Sequence, residues 1–165
     1  MIIRMIGAMG LAVLLHATAP GGVALAAESL SADQVRLVRE SWAKIEPRIP
    51  KTLDRFYHRY FQLDPAAEPL FDQQAMENQY RALAGIMGDL AAGCDDLDQF
   101  ATRLKRLGGR HQSLGAEPHQ FNLFGIAFVD TLRLELGPDF APGARNAWNK
   151  IFYEVAKMME AGYNR

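Results

Sequence analysis

Apolar positions along this chain recur three and four residues apart, and no stretch alternates with a period of two, so the pattern predicts helices throughout. Ser31-Ala-Asp-Gln34 has the form of a capping box, with the Ser hydroxyl at a helix start and Gln three residues on. The helix it opens carries Val35, Leu37, Val38, Trp42 and Ile45 on one side and ends before Pro47 and Pro50. Pro50 suits the first turn of a second helix, whose apolar face reads Leu53, Phe56, Tyr57, Tyr60 and Phe61. Asp64-Pro65 is expected to cap a short third helix ending near Leu70-Phe71. Residues 72–75 then link to a longer helix over 76–92, with Gln79, Leu83, Ile86, Met87 and Leu90 in phase.

After a break at Gly93-Cys-Asp-Asp, with Asp95 or Asp96 as the expected cap, Leu97, Phe100, Leu104 and Leu107 step by three, four and three along one face. A further step of four lands on His111. Gly108-Gly109 is expected to loosen this helix just before that His, and Gly115 with Pro118 closes the turn after it. Two long helices finish the chain. One covers 117–136 with Phe121, Phe124, Phe128 and Leu132 in phase; the other covers 142–162 with Trp148, Ile151, Phe152, Val155 and Met159. The fold class is all-α, in about seven helices, with no internal repeat or low-complexity tract.

Three polar groups break these stripes. His111 stands where the period calls for a leucine, and a buried His must be hydrogen-bonded or bound to something. Gln79 lies one turn before Leu83 on the same face, and Tyr57 shares the inward face of its helix with Phe56, Tyr60 and Phe61. Each alone has an ordinary explanation: a core His bonded to a carbonyl, a boundary Gln, a core ring with its hydroxyl at the edge. Together, on the apolar faces of three different helices, they point to a central cavity with something in it.

The first residues differ from the rest. Residues 1–27 carry one charge (Arg4), an apolar run from Ile6 to Leu15, then Pro20-Gly21-Gly22 and Ala24-Leu25-Ala26-Ala27. A positive start, a short apolar core and small residues at the end are the layout of a secretory signal peptide cut near 26–28, leaving 28–165 as one domain. The apolar core falls short of the about 20 residues that span a bilayer; an uncleaved anchor is the alternative. The expected location is periplasmic or secreted, with no stable membrane insertion after cleavage. No twin-Arg pair precedes the core, so the chain would be exported unfolded and would acquire any cofactor afterwards. Without residues 1–27, 17 basic residues face 19 acidic ones, a net charge of −2 that gives no electrostatic case for nucleic acid. Cys94 is the only cysteine, which excludes an internal disulfide, a Cys-based zinc site and the Cys-x-x-Cys-His attachment of a c-type haem. It reads as a buried thiol or as half of an intermolecular link.

Trp42, Phe56-Tyr57-His-Arg-Tyr-Phe61 followed by Asp64-Pro65 and Phe71, Gln79-Tyr-Arg-Ala-Leu83, Leu107-Gly-Gly-Arg-His111 and Ala147-Trp148 together resemble a globin. The joint spacing carries most of the resemblance: 14 residues from Tyr57 to Phe71 and 32 from Gln79 to His111. It covers residues 30–163 and is most similar to single-domain bacterial globins and the haem domain of flavohaemoglobins, with a neuroglobin-like C-terminal third. The resemblance implies a three-on-three helical sandwich around haem b, with His111 as the proximal iron ligand. The carbonyl of Leu107, four residues earlier, could hold the other ring nitrogen. Phe71 would stack on the macrocycle, and Leu83, Leu104, Leu107, Phe121, Phe124, Phe152 and Val155 would make the apolar walls. Tyr57 and Gln79 would be the distal pair, donating hydrogen bonds worth about 1.5–3 kcal/mol to a ligand carrying partial negative charge. His58 and His119 read as solvated, and Arg81 and Arg110 are the basic residues offered for the haem propionates.

Two departures separate the chain from flavohaemoglobins. Their haem domain carries a Tyr ten residues after the proximal His and a Glu in the last helix; here these positions are Phe121 and Tyr163. The sequence ends at Arg165, and flavin and nicotinamide domains are expected to be missing, so sustained turnover would need an external electron donor. The leading expectation is reversible binding of oxygen, and of nitric oxide and CO, at a five-coordinate iron. The alternative is a nitric oxide dioxygenase or peroxidase-like haem enzyme served by an external reductase. A third class, a haem-free globin-fold sensor, has no need of an imidazole on a leucine stripe.

Overall fold

Ser31 opens the first helix as its sequence implies: its Oγ accepts from Gln34 N at 3.3 Å, and Gln34 Oε1 accepts from Ser31 N at 3.0 Å. A computed structural model describes residues 27–164, so the leader expected over the first residues lies almost wholly outside the described residues. Six α-helices follow in order: α1 (Ala32–Ile45), α2 (Ile49–Leu63), α3 (Met76–Ala92), α4 (Ala101–Ser113), α5 (Pro118–Leu136) and α6 (Pro142–Glu160). The described residues contain no strand. α6 is the hub, packed on α1, α4 and α5, while α2 lies on α5 and α3.

The core follows the apolar stripes. Trp148, Phe56, Phe128, Ile45, Leu53 and Ile151 are all fully buried. The indole N–H of Trp148 is buried too, and it donates to Ser41 Oγ at 2.9 Å, so the polar edge of the largest core residue is satisfied. Cys94 is buried at the end of α3, its Sγ 4.0 Å from the Val35 carbonyl oxygen of α1. Burial pushes its thiol pKa up, with Asp95 adding to the rise and Arg39 opposing it.

Four local expectations are corrected. No third α-helix follows Asp64-Pro65; the segment makes only a 3-10 turn at Glu68–Leu70. Asp64 does not cap it with its side chain; its buried carboxylate accepts instead from Gln120 Nε2 at 2.7 Å, tying the loop to α5. Neither Asp95 nor Asp96 caps the His111 helix by side chain. Asp95 pairs with Arg39 at 2.8 Å, and Leu97–Phe100 enters α4 as a 3-10 turn. Gly108-Gly109 does not loosen α4, which stays helical to Ser113. Gly108 is instead pressed onto the Met159 backbone of α6, where a Cβ would overlap the carbonyl.

Candidate functional site

The stripes of α2 to α6 meet around one cavity of about 290 Å³. The residues expected from the sequence as iron ligand, distal pair and apolar walls all line it: His111, Tyr57, Gln79, Phe71, Leu83, Leu104, Leu107, Phe121, Phe124, Phe152 and Val155. Leu70 and Leu114, respectively 39% and 70% exposed, mark its open side. These two leucines, with Tyr60, Ala116, Gln120 and Met159, extend the wall beyond the sequence reading.

His111 sits in the last turn of α4, half-buried, with Nδ1 2.9 Å from the Leu107 carbonyl oxygen. A carbonyl can only accept, so the bond assigns the proton of the neutral ring to Nδ1 and leaves the lone pair on Nε2. The edge of Phe121 meets the imidazole at 5.9 Å between ring centroids, and Tyr163 stands behind Phe121, also at 5.9 Å. The Tyr163 hydroxyl donates to the Ala116 carbonyl at 2.7 Å. The Leu107 carbonyl is therefore the imidazole's hydrogen-bond partner in the described structure.

Tyr57 is 4% exposed and held by rings on all sides: Phe56 edge-on at 4.8 Å, Tyr80 stacked at 5.4 Å, Phe71 edge-on at 5.5 Å. Its hydroxyl meets no acceptor among the described residues and opens onto the cavity. Burial, then the neighbouring Tyr80 and Tyr60, push its pKa well above the ordinary phenol value, so at neutral pH it is a proton donor. Tyr80 spends its own hydroxyl on Asp54, 3.3 Å away.

Gln79 differs from the expectation of a buried position. It is exposed in the first turn of α3, and the face it begins closes only at Met87 and Leu90, with Leu83 and Ile86 half-buried along the cavity. Its amide makes no hydrogen bond among the described residues, so it is a free donor at the cavity's edge. His58 and His119 are exposed, as their positions imply. Arg81 donates to Asn78 Oδ1 at 2.6 Å, and neither it nor Arg110 lines the cavity. Gln120 was missed as a site residue. The Glu117-x-x-Gln120 capping pattern marks it as a helix-start residue, with Gln120 Oε1 accepting from Glu117 N at 2.8 Å. Its second partner, Asp64, is 56 residues away and has no local signal.

The donor set decides what the cavity suits. Side chains alone hold a transition metal with three or four ligands, and the described residues contain no group of three or more His, Cys, Asp or Glu able to do so. A single imidazole with a bare Nε2 on an apolar cavity fits a metal that arrives inside its own macrocycle, needing one axial ligand and greasy walls.

The comparisons with known proteins agree. The Globin family model matches residues 54–159. The Flavohemoprotein of Bacillus subtilis is 31% identical over 104 residues, which is 62% of this chain and 26% of that protein. The Neuroglobin of Danio rerio is 26% identical over 151 residues, 82% of this chain and 94% of that protein. The chain thus spans about a quarter of the first relative's length and nearly all of the second's. A solved bacterial globin from Campylobacter jejuni shares the fold at a TM-score of 0.70 and 17% identity, covering 80% of this chain and 96% of that one. The chain belongs to the globin family, whose members are in general haem-based binders of diatomic gases.

Proposed function

We propose that this globin holds haem b through His111 and reversibly binds oxygen, and also nitric oxide and CO, at a five-coordinate iron. The observation that carries the reading is the 2.9 Å contact from His111 Nδ1 to the Leu107 carbonyl, which leaves Nε2 as the ligand atom on the cavity shared with Tyr57 and Gln79. When bound at His111, haem would supply an iron able to take up a diatomic gas. The chain's own residues do the rest. Leu83, Leu104, Leu107, Phe124, Phe152 and Val155 exclude water from the cavity, and Phe71 and Phe121 present rings to its occupant. Tyr57 keeps its phenol proton and offers it, with the Gln79 amide, to a gas ligand that carries partial negative charge.

The test is the absorption spectrum of the purified protein and of His111→Ala after haem reconstitution. A Soret band in the wild type, lost or altered in the variant and restored by added imidazole, is the expected result. An unchanged band in the variant removes His111 as the ligand, and no band in the wild type removes the haem reading, leaving a haem-free sensor. A second reading, nitric oxide dioxygenation with an external reductase, draws on the Tyr57 donor. Stopped-flow mixing of the oxygenated protein with nitric oxide decides it by rapid nitrate formation. Residues 1–27 act in this proposal as a signal peptide that delivers the globin to the periplasm or beyond.

A further inference from the structure

We infer that Tyr80 is the positioning residue for both hydrogen-bond donors of the cavity. Its ring and hydroxyl clasp one turn of α2, aiming the Tyr57 phenol and holding Gln79 at the cavity's edge. The inference rests on the haem reading above and names what sets the donors of that site in place. Over residues 77–82 every residue of α3 is exposed except Tyr80, which is half-buried. Its ring lies against the Tyr57 ring at 5.4 Å between centroids, with the planes 21° apart. Its hydroxyl donates to Asp54 Oδ1 at 3.3 Å. Asp54 and Tyr57 stand three residues apart in α2, so both attachments fall on the same face of that helix.

The other rings against Tyr57 cannot do this. Phe56 and Phe61 belong to α2 itself, and Phe71 comes from the loop before α3, so none of them ties α3 to Tyr57. The Tyr57 hydroxyl has no acceptor among the described residues, so ring contacts alone fix where it points. Gln79 follows by adjacency: its amide is likewise unbonded among the described residues, and its place is set by the helical turn that Tyr80 holds down. The Tyr80 phenol keeps its proton for Asp54 at neutral pH, because burial, then the Asp54 charge, then the bond between them raise its pKa above the ordinary 10.0. Losing that bond shifts the balance between a seated and a lifted turn by about two- to tenfold, the factor to which one net hydrogen bond converts.

The experiment uses the haem-loaded protein with CO bound. It reads the C–O stretch by infrared spectroscopy and, alongside, amide hydrogen exchange over residues 77–82. A donor aimed at the CO oxygen lowers the stretch, so a donor that loses its aim raises it. Tyr80→Phe keeps the ring and removes the bond; Asp54→Ala removes the same bond from the other side. Each should add a band at higher wavenumber and speed exchange about two- to tenfold, and the double variant should go no further than either. Tyr80→Leu removes the ring as well and should carry the band towards that of Tyr57→Phe. Asp54→Asn keeps an acceptor oxygen and should keep the wild-type band. A band unmoved in Tyr80→Phe, Asp54→Ala and Tyr80→Leu overturns the inference and leaves the haem reading standing, even if exchange quickens, since Tyr80 is then a packing residue only. Asp54→Asn behaving as Asp54→Ala overturns it too. A wild type that takes up no haem sinks the reading and the inference together.

Discussion

Gly108 lies against Met159 so closely that a Cβ on it would run into the Met159 carbonyl, and Gly162 does the same to the carbonyl of Lys105. The helix that carries His111 therefore rides on α6 along a seam where only glycine fits. Gly108→Ala should cost about 1–3 kcal/mol in denaturant titrations, the range of overpacking a tight contact, and should speed haem loss because α4 must shift. Gly85→Ala is the contrast. A Cβ there meets nothing within 4 Å, and in mid-helix it should stabilise by about 0.4–1 kcal/mol. If both alanines behave alike, the seam does not position the imidazole.

The Tyr57 hydroxyl has no acceptor among the described residues, which separates its functional role from its structural one. Tyr57→Phe should leave the stability of the haem-free protein within about 0.5 kcal/mol, as for changes that remove no contact. In the haem-loaded protein, oxygen release measured by ligand displacement should accelerate about 10- to 100-fold, the worth of a hydrogen bond to a charged partner. A large loss of stability with unchanged release would make the phenol a core group only.

Ser41 makes a sharper demand, since its Oγ is the acceptor of the buried Trp148 indole N–H at 2.9 Å. Ser41→Ala strands that donor in the core. The expected cost is about 1–3 kcal/mol, read as a lower denaturation midpoint without change in the Soret band of the loaded protein.

Alkaline pH should weaken the fold through two phenols. Burial, helped by Tyr80 and Tyr60 for Tyr57 and by Asp64 and Tyr163 for Tyr60, raises both pKa values well above the ordinary 10.0. Above pH 10.0 the unfolded chain gives up protons that the folded state keeps, so stability falls as pH rises; below that value the contribution is whole. Melting temperature followed from neutral to strongly alkaline pH should drop less steeply in Tyr57→Phe and Tyr60→Phe than in the wild type. Parallel curves would mean that other groups drive the transition.

The cavity was legible in the sequence because its walls are periodic. His111, Tyr57 and Leu83 each interrupt or continue a stripe at helical spacing, and spacing alone brings stripes of different helices together once the helices pack. What escaped was everything set by a neighbour distant along the chain. Asp64 reads as a cap until α5 brings Gln120 to it, and Gly108 reads as a weak point until α6 supplies Met159. Gln79 keeps the phase of a core position, yet α3 has so little packed over its first turns that the residue stands in the open. Propensity and period describe one helix at a time; these residues answer to two.

The solitary thiol of Cys94, tucked beneath the Val35 carbonyl and raised in pKa by its burial, is out of reach of reagents while α1 stays in place. It is thus a clock already installed in the molecule. A thiol-trapping dye would tick only when that end of the fold breathes, reporting the opening rate with and without the pocket filled and with no engineered probe.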